Sequence, residues 1–135
     1  MEYLLDTSWI IEVLAGREDT ARQHRLLNLA QVAVSYVSMG EIYEVAFTYA
    51  NPHAHLASFR QFLAPFTIVN LNEPIMEKFA EVRAHLRRRG QMISDFDILL
   101  GATALHYNLT VLTYNKKHFQ RIPDIKIYQP ERLST

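Results

Sequence analysis

The sequence predicts an α/β fold, in which a largely parallel sheet is covered by helices on both faces. Short apolar runs alternate along the chain with longer segments of helical periodicity. The connections between these runs are long enough for successive strands to lie parallel. No repeat, linker or low-complexity stretch interrupts the 135 residues, so we expect residues 1–135 to form one domain.

The first strand is predicted at residues 3–5, a short apolar run near the N-terminus. Thr7 or Ser8 offers a hydroxyl that can cap a helix, and this helix should continue through Leu14. Gly16 is expected to end it, because glycine readily adopts the left-handed conformation that follows many helices.

A second helix is predicted over residues 19–30. Its apolar residues Leu26, Leu27 and Ala30 should face inward. The valines within residues 31–35 predict the second strand, because β-branched residues are favoured in strands.

The middle of the chain predicts two more helices and a third strand. The first of these helices covers about 38–49, and Pro52 follows its end. The second covers 53–63, where large apolar residues recur with helical spacing. Residues 66–69 then predict the third strand.

The last third of the chain predicts two helices and two strands. Pro74 suits the first turn of a long helix, which should end at Gly90. A further helix is predicted over 94–105. The remaining strands are predicted at 110–113 and 126–128.

The composition excludes several classes of site, and the zero net charge means that the protein as a whole does not attract polyanions. The chain has no cysteine, so a thiol nucleophile and a cysteine-based zinc site are excluded. Its 14 basic and 14 acidic residues cancel, so any polyanion must be attracted by a local patch or a metal ion. No signal-peptide pattern and no apolar run of about 20 residues is visible, so we expect a cytoplasmic protein without a membrane span.

Three acidic residues from distant segments are expected at one edge of the sheet. Asp6 follows the first predicted strand, Glu41 lies shortly after the second, and Asp97 lies near the start of an apolar helix. Asn115 follows the fourth strand. Ligands of parallel sheets bind beyond the carboxyl ends of the strands. Because crowded carboxylates are unstable without a cation, the three acids predict a divalent-metal site.

Each acid also has a local explanation. Asp6 could cap the first helix, while Ser38 and Glu41 match a capping box, as Ser94 and Asp97 nearly do. Capping is favoured for each acid taken alone, and the metal site is favoured for the three together. Asp95 lies two residues from Asp97 and points elsewhere on the helix, either supporting the site or facing solvent.

Four segments, in their order and spacing, resemble the motifs of PIN-domain ribonucleases, and among these the VapC-type toxins of prokaryotic toxin–antitoxin pairs. The segments are 4–8, 38–42, 97–105 and 112–123. The resemblance implies a three-layer α/β/α sandwich with a mainly parallel central sheet. It also implies an endoribonuclease that depends on one or two Mg²⁺ or Mn²⁺ ions, with Asp6, Glu41 and Asp97 as catalytic acids and metal ligands.

This chain departs from the family pattern at one position, and the resemblance also implies several binding partners. Many relatives carry a fourth acid in the last motif, where this chain has Asn115, which can still offer a carbonyl oxygen or orient water. Thr113 could hydrogen-bond an acid or simply end its strand. The implied partners are an RNA substrate, a second copy of the chain in a homodimer and an antitoxin that covers the acidic cleft.

Basic residues near the last motif are candidates for RNA contact. Lys116, Lys117 and Arg121 lie close to the predicted site, and phosphate contacts dominate RNA affinity. The arginines at the end of the long helix, including Arg83, are a second candidate patch, for which a solvated helix end is the simpler explanation. The six histidines have no zinc-binding spacing.

Two other functions remain open at the level of sequence. One is a non-catalytic PIN-fold module that binds protein or RNA, which the departure at Asn115 allows. The other is a phosphatase-like or receiver-like α/β domain. Such domains need an aspartyl nucleophile and a cationic partner, and no lysine lies at a matching strand end, although Lys116 is nearby.

Overall fold

The structure, a computed structural model, describes residues 1–129 and contains one five-stranded sheet. The strands are β1 (Tyr3–Leu5), β2 (Val32–Ser35), β3 (Thr67–Val69), β4 (Thr110–Leu112) and β5 (Lys126–Ile127). Their order across the sheet is β3-β2-β1-β4-β5, and every adjacent pair is parallel. The predicted parallel sheet is confirmed, and each strand lies within its predicted range.

Helices cover both faces of the sheet. They are α1 (Thr7–Leu14), α2 (Glu18–Arg25), α3 (Tyr36–Ala46), α4 (Pro52–Leu63), α5 (Glu73–Arg88), α6 (Asp95–Tyr107) and α7 (Lys116–Phe119). Leu4 is fully buried among residues of α5 and α6, whereas Leu5 is fully buried among residues of α1, α3 and α4. Successive strand residues point to opposite faces, so the sheet is the middle layer of an α/β/α sandwich, as predicted. None of the helices within residues 1–129 is long and apolar enough to cross a membrane.

The first helix begins one residue earlier than a cap at Thr7 or Ser8 would allow. Asp6 occupies the N-cap position, and both hydroxyl residues lie inside α1, so the predicted cap is wrong. The two hydroxyls instead donate hydrogen bonds to carboxylates. Gly16 follows the helix with a φ angle of +78°, which confirms the predicted stop.

The second helix is shorter than predicted. It ends at Arg25, and a turn of 3₁₀ helix (Leu29–Gln31) follows, capped by the Asn28 side chain. Leu26 is 81% exposed and Ala30 is also exposed, so their predicted inward orientation is wrong. Only Leu27 of the predicted apolar side packs against the core.

The third helix also begins earlier than predicted. The Ser35 hydroxyl accepts the Val37 amide at 3.0 Å and caps α3, which starts at Tyr36. Ser38 therefore lies within the first turn, and its predicted capping box with Glu41 is wrong. The Ser38 hydroxyl is buried and has no hydrogen-bond partner among the described residues.

The strand order indicates that the functional site lies at the carboxyl ends of β1 and β4. The chain moves outward in one direction through β2 and β3, and β4 then pairs with the other side of β1. Such a reversal leaves a crevice between neighbouring strands, where α/β folds bind ligands. Because α6 leads directly into β4, it runs back along the sheet, and its N-terminus lies at the same edge. The short helix α7, which the sequence did not predict, follows β4 there.

Candidate active site

Asp6 lies at the crevice between β1 and β4. Its amide donates to the Leu112 carbonyl at 2.9 Å, which ties the end of β1 to β4. The side chain is 4% exposed and makes no capping bond to α1. Its Oδ2 atom accepts hydrogen bonds from the hydroxyls of Ser8 at 2.6 Å and Thr113 at 2.7 Å. Capping therefore does not account for this carboxylate, which is held by hydroxyls on two separate elements.

Glu41 reaches the same edge from the second turn of α3. Its Oε1 atom accepts the Thr7 hydroxyl at 2.7 Å, so it is tied to the residue that follows Asp6. The Ser35 cap starts α3 directly at the end of β2, next to β1 in the sheet. That junction brings the start of α3 to the same edge as Asp6.

Asp97 comes from the start of α6. The Ser94 hydroxyl accepts the Asp97 amide at 3.2 Å, so the predicted cap at Ser94 is confirmed. The Asp97 carboxylate faces α7, where its Oδ2 atom accepts the Asn115 side-chain amide at 3.1 Å. The same oxygen lies 3.2 Å from Nδ1 of His118. The cap orients the helix end, and the carboxylate remains directed at the crevice.

The three carboxylates lie close enough to affect one another. Burial raises the pKa of Asp6, and the charge of Asp97 raises it further, while hydrogen bonds from Ser8, Thr113 and the Thr7 amide act in the opposite direction. Burial also raises the pKa of Glu41, and the charges of Asp6, Asp97 and Glu44 add to this. The protein therefore gathers negative charge at one place and makes the ionised forms of Asp6 and Glu41 costly.

The donor set suits a hard, hydrated cation. Within residues 1–129, no three histidine or carboxylate side chains are gathered tightly enough to hold an ion by themselves. Mg²⁺ does not need such a cage, because it keeps several waters and binds through one or two carboxylates. The oxygen atoms of Asp6, Glu41 and Asp97 therefore fit Mg²⁺ or Mn²⁺ in chemistry, and their role as three direct ligands remains a prediction.

The residues predicted to support the acids differ in their placement. Thr113 donates to Asp6, and its hydroxyl also accepts the Asn115 amide at 2.8 Å, so it links the two motifs. Asn115 presents its amide nitrogen to Asp97. Asp95 forms an ion pair with Arg83 at 2.8 Å and is 59% exposed, so it faces away from the site, consistent with the solvent-facing alternative.

The basic candidates divide into two groups. Lys116 and Lys117 line a cavity beside Asn115 and therefore lie next to the acids. Arg121 donates to the Met92 carbonyl at 3.2 Å, in the segment between α5 and α6. Its side chain is thus engaged in tying α7 to that segment rather than directed at the acids.

Three residues of the site were not predicted as such. The sequence predicts Thr7 and Ser8 only as helix caps, and His118 is one of six histidines without zinc-binding spacing. Their hydroxyls and imidazole contact the three acids directly. No local pattern indicates His118, because α7 is not predicted from the sequence and the contact with Asp97 joins residues 21 positions apart.

The Thr113 hydroxyl gives a direct test of how Asp6 is held. We expect Thr113→Val to lower the free energy of unfolding by about 1–3 kcal/mol, because a buried carboxylate loses a hydrogen-bond donor while the side-chain volume is kept. Urea denaturation measures this. Thr110→Val, at the other end of β4, is the matched control and should change the value by less than about 0.5 kcal/mol. Equal values for both variants would show that the bond to Asp6 does not stabilise the fold.

Comparison with known proteins identifies the fold family. The family model of the PIN domain matches residues 3–125. The chain belongs to the PIN-domain family. Within it, the chain is 31% identical over 127 residues to ribonuclease VapC1 of Methanocaldococcus jannaschii, covering 93% of this chain and 85% of the relative. It is 24% identical to the tRNA(fMet)-specific endonuclease VapC of Salmonella typhimurium, covering 94% and 96%.

Solved PIN-domain structures have the same fold. The VapBC-1 structure from nontypeable Haemophilus influenzae is 26% identical, with a TM-score of 0.85, over 96% of this chain and 98% of that one. The DNA-bound VapBC structure from Salmonella typhimurium is 24% identical, with a TM-score of 0.88, over 95% and 97%. The resemblance to VapC-type proteins stated from the motifs is thereby confirmed.

Proposed function

We propose that this PIN-domain protein is a divalent-metal-dependent endoribonuclease, the toxin half of a type II toxin–antitoxin pair, acting in the cytoplasm. The observation that carries the proposal is the convergence of Asp6, Glu41 and Asp97 from β1, α3 and α6 at one edge of the sheet. Two of these carboxyls have pKa values raised by burial and by their acidic neighbours. The relatives named as VapC ribonucleases support an activity on RNA.

The reaction is hydrolysis of a phosphodiester bond. The oxygen of water bonds to phosphorus, the bond from phosphorus to the leaving ribose oxygen breaks, and that oxygen takes up a proton. A bound Mg²⁺ or Mn²⁺ supplies positive charge at the phosphate and lowers the pKa of water. Asp6, Glu41 and Asp97 hold the ion in this proposal.

The neighbouring side chains fix the orientation of these acids before the substrate binds. Two hydroxyls on one oxygen hold the Asp6 carboxylate, and the Asn115 amide holds Asp97. Catalysis by fixed charges depends on such preorganisation, because no rearrangement is then needed during the reaction. Thr113 joins both parts, since it contacts Asp6 and the backbone of Asn115.

The surface beside Glu41 suits the antitoxin. A cavity of about 270 Å³ is lined by residues that include Tyr36, Glu41, Glu44 and Phe96. Tyr36 and Phe96 are 52% and 51% exposed. An exposed aromatic surface with acidic side chains would bind a peptide that carries both apolar and basic residues. The Haemophilus influenzae and Salmonella typhimurium structures are described as VapBC, which supports an antitoxin partner. Phe47, at the C-terminal end of α3, is 64% exposed and is a candidate contact in a homodimer.

The test of the function is to map RNA ends in cells. Brief expression of the parent, followed by sequencing of RNA 5′ ends, should reveal new ends at defined positions. Asp6→Asn expressed to the same level should produce none. The same set of ends in both samples would contradict the proposal and favour a non-catalytic PIN-fold module.

Asn115 offers a further test within the same site. We expect Asn115→Asp to bind Mn²⁺ about 10-fold more tightly, because an added carboxylate beside Asp97 increases the charge of the site. Isothermal titration measures this. Gln61→Glu on the exposed side of α4 adds the same charge elsewhere and should leave the affinity unchanged. Equal or weaker Mn²⁺ binding by the Asn115 variant would place this residue outside the ion's surroundings.

A further inference from the structure

Tyr114 lies between the two residues that orient the acids of the site. On one side of it, the Thr113 hydroxyl donates to Asp6 at 2.7 Å. On the other side, the Asn115 side-chain amide donates to Asp97 at 3.1 Å. The three residues are consecutive, so a displacement of Tyr114 would move both hydrogen-bond donors at once.

The Tyr114 ring is covered by residues from the start of the chain. Trp9 stacks on it with ring centroids 5.7 Å apart and an interplanar angle of 22°. The guanidinium carbon of Arg17 lies over the ring, 4.8 Å from its centroid. The Tyr114 hydroxyl is hydrogen-bonded to Thr20, which is fully buried in α2. Stacking, cation–π attraction and a hydrogen bond thus act on one side chain.

The residues that cover the ring are themselves fixed. Trp9 is 3% exposed, and its indole nitrogen donates to Nδ1 of His24 at 3.4 Å. Arg17 pairs with Glu12 of α1 at 3.5 Å. We call Trp9, Arg17 and Thr20 the Tyr114 clamp. It is anchored in α1, in α2 and in the segment that joins them.

The backbone around Tyr114 connects the clamp to the acids. The Tyr114 amide donates to the Ser8 hydroxyl at 3.0 Å, and this hydroxyl donates to Asp6 at 2.6 Å. The Asn115 amide donates to the Thr113 hydroxyl at 2.8 Å. These hydrogen bonds require residues 113–115 to keep one backbone position, which the clamp on the ring provides.

We propose that Tyr114 and Arg17 are positioning residues, which fix residues 113–115 and through them the directions of Asp6 and Asp97. This inference rests on the proposed function, since it concerns how the same acids are oriented for cleavage. Small displacements of reacting groups reduce the rate strongly, because catalysis by fixed charges depends on their geometry. Loosening the clamp should therefore lower kcat and leave the KM for RNA unchanged.

Amide hydrogen exchange, measured by NMR on the whole chain, tests the clamp without RNA or metal. We expect Tyr114→Ala to speed exchange of the Asn115 amide at least 10-fold, at about the size expected for the loss of several ring contacts. Arg17→Ala should speed it about 5-fold, and Arg17→Lys, which keeps a cation, should restore most of the protection. The Thr110 amide, which donates to the Glu2 carbonyl at 2.9 Å at the other end of β4, should exchange as in the parent.

Arg22→Ala is the matched control for Arg17→Ala. The two arginine side chains are 52% and 50% exposed, and each pairs with one carboxylate at 3.5 Å, that of Asp19 for Arg22. Of the two, Arg17 is the one that lies over the Tyr114 ring. Arg22→Ala should therefore leave exchange of the Asn115 amide within about 2-fold of the parent.

Steady-state cleavage of one labelled RNA in MnCl₂ separates positioning from RNA contact. We expect Arg17→Ala to lower kcat about 5-fold with KM within about 2-fold, and Arg22→Ala to change neither. A raised KM with unchanged kcat would make Arg17 an RNA contact and overturn the proposal.

The exchange data decide between a local and a general effect. Equal acceleration at Asn115 and Thr110, or none at Asn115, would also overturn the proposal. If Tyr114→Ala does not fold by circular dichroism, Arg17→Ala carries the test, because it changes a half-exposed side chain. Local acceleration at Asn115 in a protein whose parent form does not cleave RNA would count against the nuclease and support the clamp.

Discussion

Asp97→Asn should reduce metal-dependent RNA cleavage by about 10²–10³-fold while the protein stays folded. A rate reduction of this size is expected when one preorganised electrostatic group is removed from a reaction centre. The substitution keeps the shape of the side chain and removes its charge, so the loss would come from the ion and the phosphate, not from packing. Asp6→Asn should have an effect of the same order, because both acids face the same crevice.

Asp95→Asn is the matched control for that experiment. Asp95 lies two residues away on the same helix, carries the same charge and is paired with Arg83 at the surface. Its replacement should leave the rate within about 2-fold, since surface ion pairs contribute little. Rates are measured on one labelled RNA with MnCl₂ and with EDTA. Cleavage by Asp97→Asn at the parent rate, with Asp95→Asn also unchanged, would remove Asp97 from the mechanism.

The sheet and two of the acids could be predicted from local patterns. The run before Asp6 and the run before Asn115 are short, apolar and bounded by polar residues, and both became neighbouring central strands. Asp97 could be singled out because it heads an apolar segment, and the structure buries most of that segment within α6. These features depend on residues near one another in the chain, which is why sequence alone is enough to predict them.

Contacts that depend on the assembled sheet could not be predicted in this way. Ser35 and Ser38 are equally good caps by residue type, and Ser35 is chosen because it pairs in register with Val69 at the end of β2. Leu26 has the side chain of a core residue, yet α2 ends before it and it faces outward. The contact of His118 with Asp97 spans 21 positions in the chain, and no local pattern indicates it.

The acidic crevice should also make the stability of the metal-free protein depend on pH. The pKa values of Asp6 and Glu41 are raised in the folded state, so at low pH, where both states are protonated, these groups cost nothing. As the pH rises above about 4, the unfolded chain releases protons that the folded chain retains, and the free energy of unfolding falls until the folded pKa values are passed. Each unit by which the pKa of the buried Asp6 is raised corresponds to about 1.4 kcal/mol.

Thermal melts at several pH values, with and without Mn²⁺, measure both the loss of stability when these carboxyls ionise and the stabilisation by the bound ion. We expect the parent in EDTA to lose stability as the pH rises above about 4, and to regain about 2.7 kcal/mol when the Mn²⁺ concentration is 100 times its dissociation constant. Asp6→Asn should flatten the pH dependence and raise the EDTA melting temperature at neutral pH, since its side chain cannot ionise. It should also abolish the response to Mn²⁺, whereas Asp95→Asn should behave like the parent. If Mn²⁺ still stabilised Asp6→Asn, the ion would bind elsewhere. The proposal requires one carboxylate, that of Asp6, to cause both the loss of stability with rising pH and the stabilisation by Mn²⁺.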